Sequence, residues 1–225
     1  MSKEVLLTII LSLLMVDGAY VAYSQANKSL AVTPPAMTVV PSAASKKKLG
    51  GVVRLMTPEG HTYCSGSVVN NTTIITAGHC VLDESPMGVS VKSDPIEVRA
   101  EDGIARGTYG RVHYLAPQLD QAVLKGNFRI YTKFNYTDDI GAIDKLRDMK
   151  TNFIACGYPM GGSLFCNTLN YVGPAYFMWQ MRGLLLPGMS GGPVVTPDGK
   201  QIAINDAVTE SSSVVSPIYN IHAGF

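Results

Sequence analysis

Beyond residue 48, the apolar positions fall into short runs rich in β-branched and aromatic residues, separated by Gly, Pro, Asn and Asp. Such runs read as strands. The clearest are Val52–Met56, Tyr63–Val69, Thr73–Thr76, Gly107–Leu115, Gln121–Leu124, Thr151–Gly157, Leu164–Tyr171, Pro193–Val195 and Gln201–Asn205. One stretch, Asp139–Met149, is helix-like, with Asp138 or Asp139 placed to cap its N-terminus. No internal repeat is visible. Many closely spaced strands predict an all-β barrel or sandwich. A break near residues 130–150 divides them into two similar halves.

The first 48 residues follow other patterns. Residues 5–16, VLLTIILSLLMV, form an apolar run ended by Asp17. That run suits the hydrophobic part of a signal peptide and is short of the roughly 20 residues of a membrane span. Ala22-Tyr23-Ser24 offers a small-x-small cleavage site before Gln25, although Glu4 cancels the charge of Lys3. Residues 1–24 therefore read as a signal peptide; left uncleaved, residues 5–23 are a membrane tether. Residues 25–48 are dominated by Ala, Ser, Thr and Pro, and Pro34, Pro35 and Pro41 discourage helix. They read as a linker. Lys46-Lys47-Lys48 at its end is either a processing site or a solvated charge cluster. The folded domain is expected over 49–225. Export makes the expected location secreted or extracytoplasmic, with membrane anchoring as the alternative.

Composition narrows the class. The chain has 225 residues, 46% of them hydrophobic and 16% charged. That is enough for one or two domains with a sizeable core. Eighteen Lys+Arg against 17 Asp+Glu leave a net charge of +1, which gives no electrostatic footprint for nucleic acid. The 22 Gly and 13 Pro suit a turn-rich β protein better than a helical bundle. Four cysteines are too few for a disulfide-scaffold miniprotein and enough for two bridges. No heptad pattern is present, so a monomer is the default expectation.

Candidate chemistry lies in three places. In Ile74-Ile75-Thr76-Ala77-Gly78-His79-Cys80 an apolar strand runs into a tight turn that presents an imidazole, as a general base requires. In Pro187-Gly188-Met189-Ser190-Gly191-Gly192-Pro193 a serine sits among glycines. Serine is a weak nucleophile until a base takes its proton. The flanking glycines allow a tight path that aims the N–H groups of Gly188 and Ser190 at one point, an oxyanion hole. Asp120, just before the apolar Gln121–Leu124 run, can orient the other nitrogen of an imidazole.

Taken together, TAGHC, Asp120-Gln121-Ala122-Val123-Leu124 and GMSGGP resemble, in that order, the chymotrypsin-like (trypsin-like) serine endopeptidases. Cys64-Ser65-Gly66-Ser67 also matches that family's Cys-x-Gly-Ser stretch. The resemblance spans roughly residues 52–219. It implies two packed six-stranded antiparallel β-barrels, about 49–130 and 150–225, with the active site in the cleft between them. It implies His79 as general base, Asp120 as its orienting partner, Ser190 as nucleophile, and a protein or peptide substrate with no cofactor and no metal. It also implies a Cys64–Cys80 disulfide. Digestive members carry Asp before the serine, where it binds a new N-terminus; here Met189 stands there. Activity is therefore expected without N-terminal insertion, closer to bacterial and viral members and the glutamyl endopeptidases, which Gly157-Tyr158-Pro159 also resembles. By the same likeness Leu184 lines the base of the substrate pocket and Asn205, Asp206 and Ala207 form its wall. An apolar or small side chain before the cleaved bond is expected, with a basic one attracted by Asp206 as the alternative.

Cys156 and Cys166 are spaced for a hairpin closed by a disulfide, worth about 2–3 kcal/mol if unstrained. Two bridges agree with an oxidising compartment; in a reducing one all four cysteines stay free thiols. Asn27, Asn71 and Asn135 begin glycosylation sequons. Three rival readings use the same residues. An α/β-hydrolase would take Ser190 with Asp206 and His222, but only a short tail follows the serine and no βαβ alternation precedes it. A zinc site would take His61, Cys64, His79 and Cys80, residues that a disulfide explains with less. A catalytically silent binding module would keep the fold but usually lacks a triad member. His113 reads as a packing or surface residue.

Overall fold

The structure is a computed structural model that describes residues 49–85, 88–100, 108–128, 133–149, 152–208, 212–219 and 221. The expected signal peptide or tether, the linker, Asn27 and His222 lie outside the described residues. Among the described residues, no helix is long and apolar enough to cross a membrane.

Strands β1 (Val52–Met56), β2 (Thr62–Asn70), β3 (Thr73–Ala77), β4 (Leu82–Ser85), β5 (Gly88–Val91), β6 (Ile96–Ala100), β7 (Tyr109–Ala116) and β8 (Gln121–Gly126) make up the first half. Six of them close a barrel in the order β1-β2-β3-β8-β7-β6, and β4-β5 form a separate hairpin. Helix α1 (Ile140–Asp148) follows. The second half comprises β9 (Asn152–Gly157), β10 (Phe165–Ala175), β11 (Met178–Arg182), β12 (Pro193–Val195), β13 (Gln201–Val208) and β14 (Ser213–Pro217). They close a second barrel in the order β10-β11-β14-β13-β12-β9. All barrel pairings are antiparallel, so the fold is the all-β pair of six-stranded barrels that the motifs imply.

Side-chain shape explains the strands that were legible. Thr73-Ile74-Ile75-Thr76 is β-branched throughout, and every residue of β3 is buried. Val53, Leu55, Val68, Ile74, Val98, Leu124 and Phe128 fill the first barrel. Phe153, Leu169, Trp179, Met181, Met189 and Ile202 fill the second. Each such side chain contributes about 1.5–3 kcal/mol by leaving water. Three barrel strands escaped the pattern. β6 alternates Ile96 and Val98 with Glu97 and Arg99, which pair with each other at 2.9 Å. β11 is Met-Trp-Gln-Met-Arg, without a β-branched residue, and β14 mixes serine with valine. The helix forms where expected, and the Asp139 side chain accepts the Ala142 N–H at 2.6 Å as its N-cap.

The barrels are joined by polar contacts at the cleft. Gln121 on β8 donates through Nε2 to the Ser216 hydroxyl on β14 at 2.7 Å. The Ser65 N–H on β2 donates to the Ser190 carbonyl at 2.8 Å. These contacts hold β8 against β14 and β2 against the loop that precedes β12.

Candidate active site

Register brings His79 to Asp120. β3 and β8 pair with Ala77 opposite Gln121, so the residues that follow the one strand and precede the other are neighbours. His79 opens a short 3₁₀ turn after Gly78. Asp120 ends another 3₁₀ turn begun by Pro117, in the left-handed conformation with φ 46° and ψ 48°. Asp tolerates that region better than most residues. The Gly78 N–H bonds the Asp120 carbonyl at 2.8 Å, and the Asp120 carboxyl accepts the His79 N–H at 2.7 Å. Its second oxygen lies 2.6 Å from His79 Nδ1. The imidazole is thus fixed from one edge, while its side chain stays 43% exposed toward the cleft.

Ser190 comes from the other barrel. Its loop is a turn in which the Met189 N–H reaches the Leu186 carbonyl at 3.0 Å, with Pro187 and Gly188 at the corners. Gly188 has φ +91°, and a Cβ there would lie 2.7 Å from the Tyr158 carbonyl oxygen. Only glycine fits that corner. The Pro187 carbonyl accepts the Met160 N–H at 2.8 Å. Because a peptide is planar, this contact turns the Gly188 N–H the opposite way. Among the described residues neither the Gly188 nor the Ser190 N–H has a protein acceptor. Two donors on one loop are therefore left open.

Several side chains brace that loop. Ser65, fully buried, donates its hydroxyl to the Gly188 carbonyl at 2.7 Å and accepts the Tyr158 N–H at 2.9 Å. Met189 is fully buried in the second barrel's core. Asn205 donates through Nδ2 to the Cys156 and Met189 carbonyls at 2.8 and 3.1 Å, so its nitrogen is engaged inside the protein. Leu184 is 42% exposed, and Ala207 is also exposed.

Asp206 is placed unusually. β13 carries a bulge between Asn205 and Ala207, so Asp206 is the extra residue without a partner on β14. Bulges re-aim side chains. The Asp206 carbonyl accepts the Ser190 hydroxyl at 3.1 Å. Its carboxyl, His79 and Asp120 each offer an atom within 4.8 Å of the others. Asp206 therefore meets the serine through its main chain and lies beside the Asp120–His79 pair with its side chain.

Electrostatics follow from these contacts. Burial alone lowers the His79 value, but the Asp120 hydrogen bond and charge outweigh it, and the imidazole is held above the usual 6.5. Burial raises the Asp120 carboxyl, yet hydrogen bonds from His79 and Asp206 and the His79 charge bring it below the ordinary value. Burial, then the Asp120 charge and hydrogen bond, push Asp206 well above it.

The sequence profile of the trypsin-like peptidase domain matches residues 64–204, from the cysteine before His79 to the strand that carries Asn205. The chain belongs to the trypsin-like peptidase family. No protein of curated function matches the sequence. Similar solved structures include the Rv3671c protease of M. tuberculosis in its active form, at 18% identity and TM-score 0.58, covering 87% of this chain and 90% of that one. The HtrA-type protease AlgW, solved with a decapeptide, is 18% identical with TM-score 0.58, covering 77% of this chain and 62% of AlgW. A serine endoprotease from Yersinia pestis is 18% identical with TM-score 0.59, covering 79% and 63%. The chain thus spans less than two thirds of the AlgW and Yersinia pestis chains, and identities this low speak to fold.

In this trypsin-like peptidase, Cys64 is bonded to Cys80 and Cys156 to Cys166. The first bridge ties the His79 turn to β2 and leaves no thiolate there for zinc. The second closes the hairpin whose tip, Tyr158–Gly161, holds the serine loop. Sequence reasoning missed the bracing residues Ser65 and Tyr158 and the Met160 N–H. The available signal was a pair of serines, Ser65 and Ser67, both buried within β2.

Proposed function

We propose that this peptidase hydrolyses peptide bonds as a serine endopeptidase with His79, Asp120 and Ser190 as its triad. The observation that carries the reading is the His79 Nδ1–Asp120 contact of 2.6 Å beside a serine loop with two unengaged N–H donors. Ser190 Oγ attacks the substrate carbonyl, and His79 Nε2 takes its proton. Asp120 holds the proton on Nδ1 and stabilises the imidazolium. The tetrahedral oxyanion is received by the N–H groups of Gly188 and Ser190. The amine leaves with the proton from His79, and water then cleaves the acyl-enzyme by the same steps in reverse roles.

The Ser190 hydroxyl rests on the Asp206 carbonyl. A substrate N–H that takes this acceptor releases the hydroxyl toward His79, so binding and activation are coupled. A peptide substrate also accords with AlgW having been solved with a decapeptide. Leu184, exposed and apolar, supports an apolar or small residue before the scissile bond. The two disulfides support an oxidising, extracytoplasmic location, reached through residues 1–24 as signal peptide or anchor and the linker 25–48. A monomer working without cofactor completes the proposal. Digestion of a peptide library, with products sequenced and Ser190→Ala as control, tests it. Cleavage lost in the variant supports the reading, and equal cleavage by both proteins refutes it.

A further inference from the structure

Asp120 and Asp206 each bring a carboxyl oxygen within 4.8 Å of the other, yet a carboxylate has no hydrogen to donate. Two ionised carboxylates this close in a buried site repel, which favours a proton on one of the pair. The neighbours decide which. Asp120 accepts the His79 backbone N–H at 2.7 Å and faces Nδ1 at 2.6 Å, and both contacts favour its negative charge. Asp206 is only 8% exposed, and its Oδ2 is buried with no partner. A charge on Asp206 would be uncompensated. Among the described residues, the titratable groups that face it are Asp120, at the start of β8, and His79, on the 3₁₀ turn. Ser190, from the loop before β12, meets only its carbonyl.

We propose that Asp206 stays protonated at neutral pH and donates its proton to Asp120, so that a two-carboxyl pair carrying one proton orients the base. This rests on the triad reading above. Asp206 is then a positioning residue: it acts on His79 through Asp120. The bulge in β13 is the device that turns this carboxyl inward to the triad. The raised value of Asp206 and the lowered one of Asp120 agree with that division. When Asp206 ionises at alkaline pH, repulsion drives Asp120 off the imidazole and turnover falls.

The test uses the full chain carrying Ser190→Ala, to stop self-cleavage, with aspartate carboxyls labelled with carbon-13. At pH 7 one aspartate carboxyl is expected to keep the chemical shift of the protonated acid, and Asp206→Asn removes that signal. If every aspartate has reached its carboxylate shift by pH 7, the proposal is overturned. The count itself needs only the Ser190→Ala chain to fold, and Asp206→Asn serves to assign the signal. In active protein, Asp206→Ala is expected to lower kcat about 10- to 100-fold with KM little changed. Asp206→Asn, which keeps a donor, recovers most of that loss and removes the alkaline limb of the kcat profile. An Asn variant no better than Ala, with the alkaline limb intact, overturns the proposal. Parent enzyme whose Ser190 takes no fluorophosphonate defeats the triad reading instead, while the carboxyl-proton count still stands or falls alone.

Discussion

The Ser65 hydroxyl bridges two barrels: it donates to the Gly188 carbonyl at 2.7 Å while accepting the Tyr158 N–H at 2.9 Å. One buried side chain on β2 thereby sets both the corner of the serine loop and the turn that faces it. Digestive relatives set that loop with an ion pair to a new N-terminus. Here the same task falls to Ser65, the Met160 N–H and the buried Met189. Ser65→Ala strands the buried Tyr158 N–H and the half-buried Gly188 carbonyl, at a cost of about 1–3 kcal/mol. We expect kcat to fall about 10- to 100-fold with a smaller change in KM, because the Gly188 and Ser190 N–H groups proposed to receive the oxyanion lose their aim. Steady-state kinetics on folded variant check this.

The Cys156–Cys166 bridge closes the hairpin that carries Tyr158 and Met160. Replacing both cysteines by alanine removes about 2–3 kcal/mol and lowers Tm by about 5–10 °C. The reaction rate of Ser190 with a fluorophosphonate falls as well, since the Met160–Pro187 contact loosens. Calorimetry and labelling rates on the same sample read both effects.

Met189 lies wholly within the second core. Met189→Leu keeps volume and polarity and is expected to cost under about 1.5 kcal/mol. Met189→Asp, which restores the residue of digestive relatives, places an unpaired charge in the core and is expected to cost several-fold more. Urea unfolding midpoints separate the two. An equal effect of both substitutions would mean that Met189 does not anchor the loop by burial.

Because Asp120 holds His79 above its ordinary 6.5, the imidazole becomes a free base only at higher pH. The acid limb of kcat/KM is therefore expected to have its midpoint above pH 6.5. Stability runs the other way. The raised value stabilises the fold fully below about pH 6.5 and is lost as pH rises through the folded value. The difference in unfolding free energy between parent and His79→Ala, followed across pH, should shrink over that window. A midpoint below 6.5 would contradict the His79–Asp120 geometry.

Much of this was legible from residue order. The β-branched runs of β1 and β3 and the motifs around His79, Asp120 and Ser190 specify the strands and their turns locally. The rest depended on relations that alternation does not encode. β6 was hidden because its only aliphatic side chains larger than alanine, Ile96 and Val98, alternate with charged Glu97 and Arg99, and β11 because methionine and tryptophan give no β-branched signal. Asp206 was read as pocket wall, and the bulge, which depends on the register of β13 against β14, turns its carboxyl to Asp120. The Asn205 amide bonds two carbonyls that only the folded barrel brings near it.

The central claim is that Ser190 is a nucleophile activated by His79 and Asp120. The most direct measurement is peptide-level mass spectrometry of a fluorophosphonate adduct on the disulfide-intact protein. A single adduct on Ser190, absent in Ser190→Ala and slowed at least about 100-fold in His79→Ala, is the predicted result. Folded protein with both disulfides intact that takes up no label, or labels equally in His79→Ala, would contradict it.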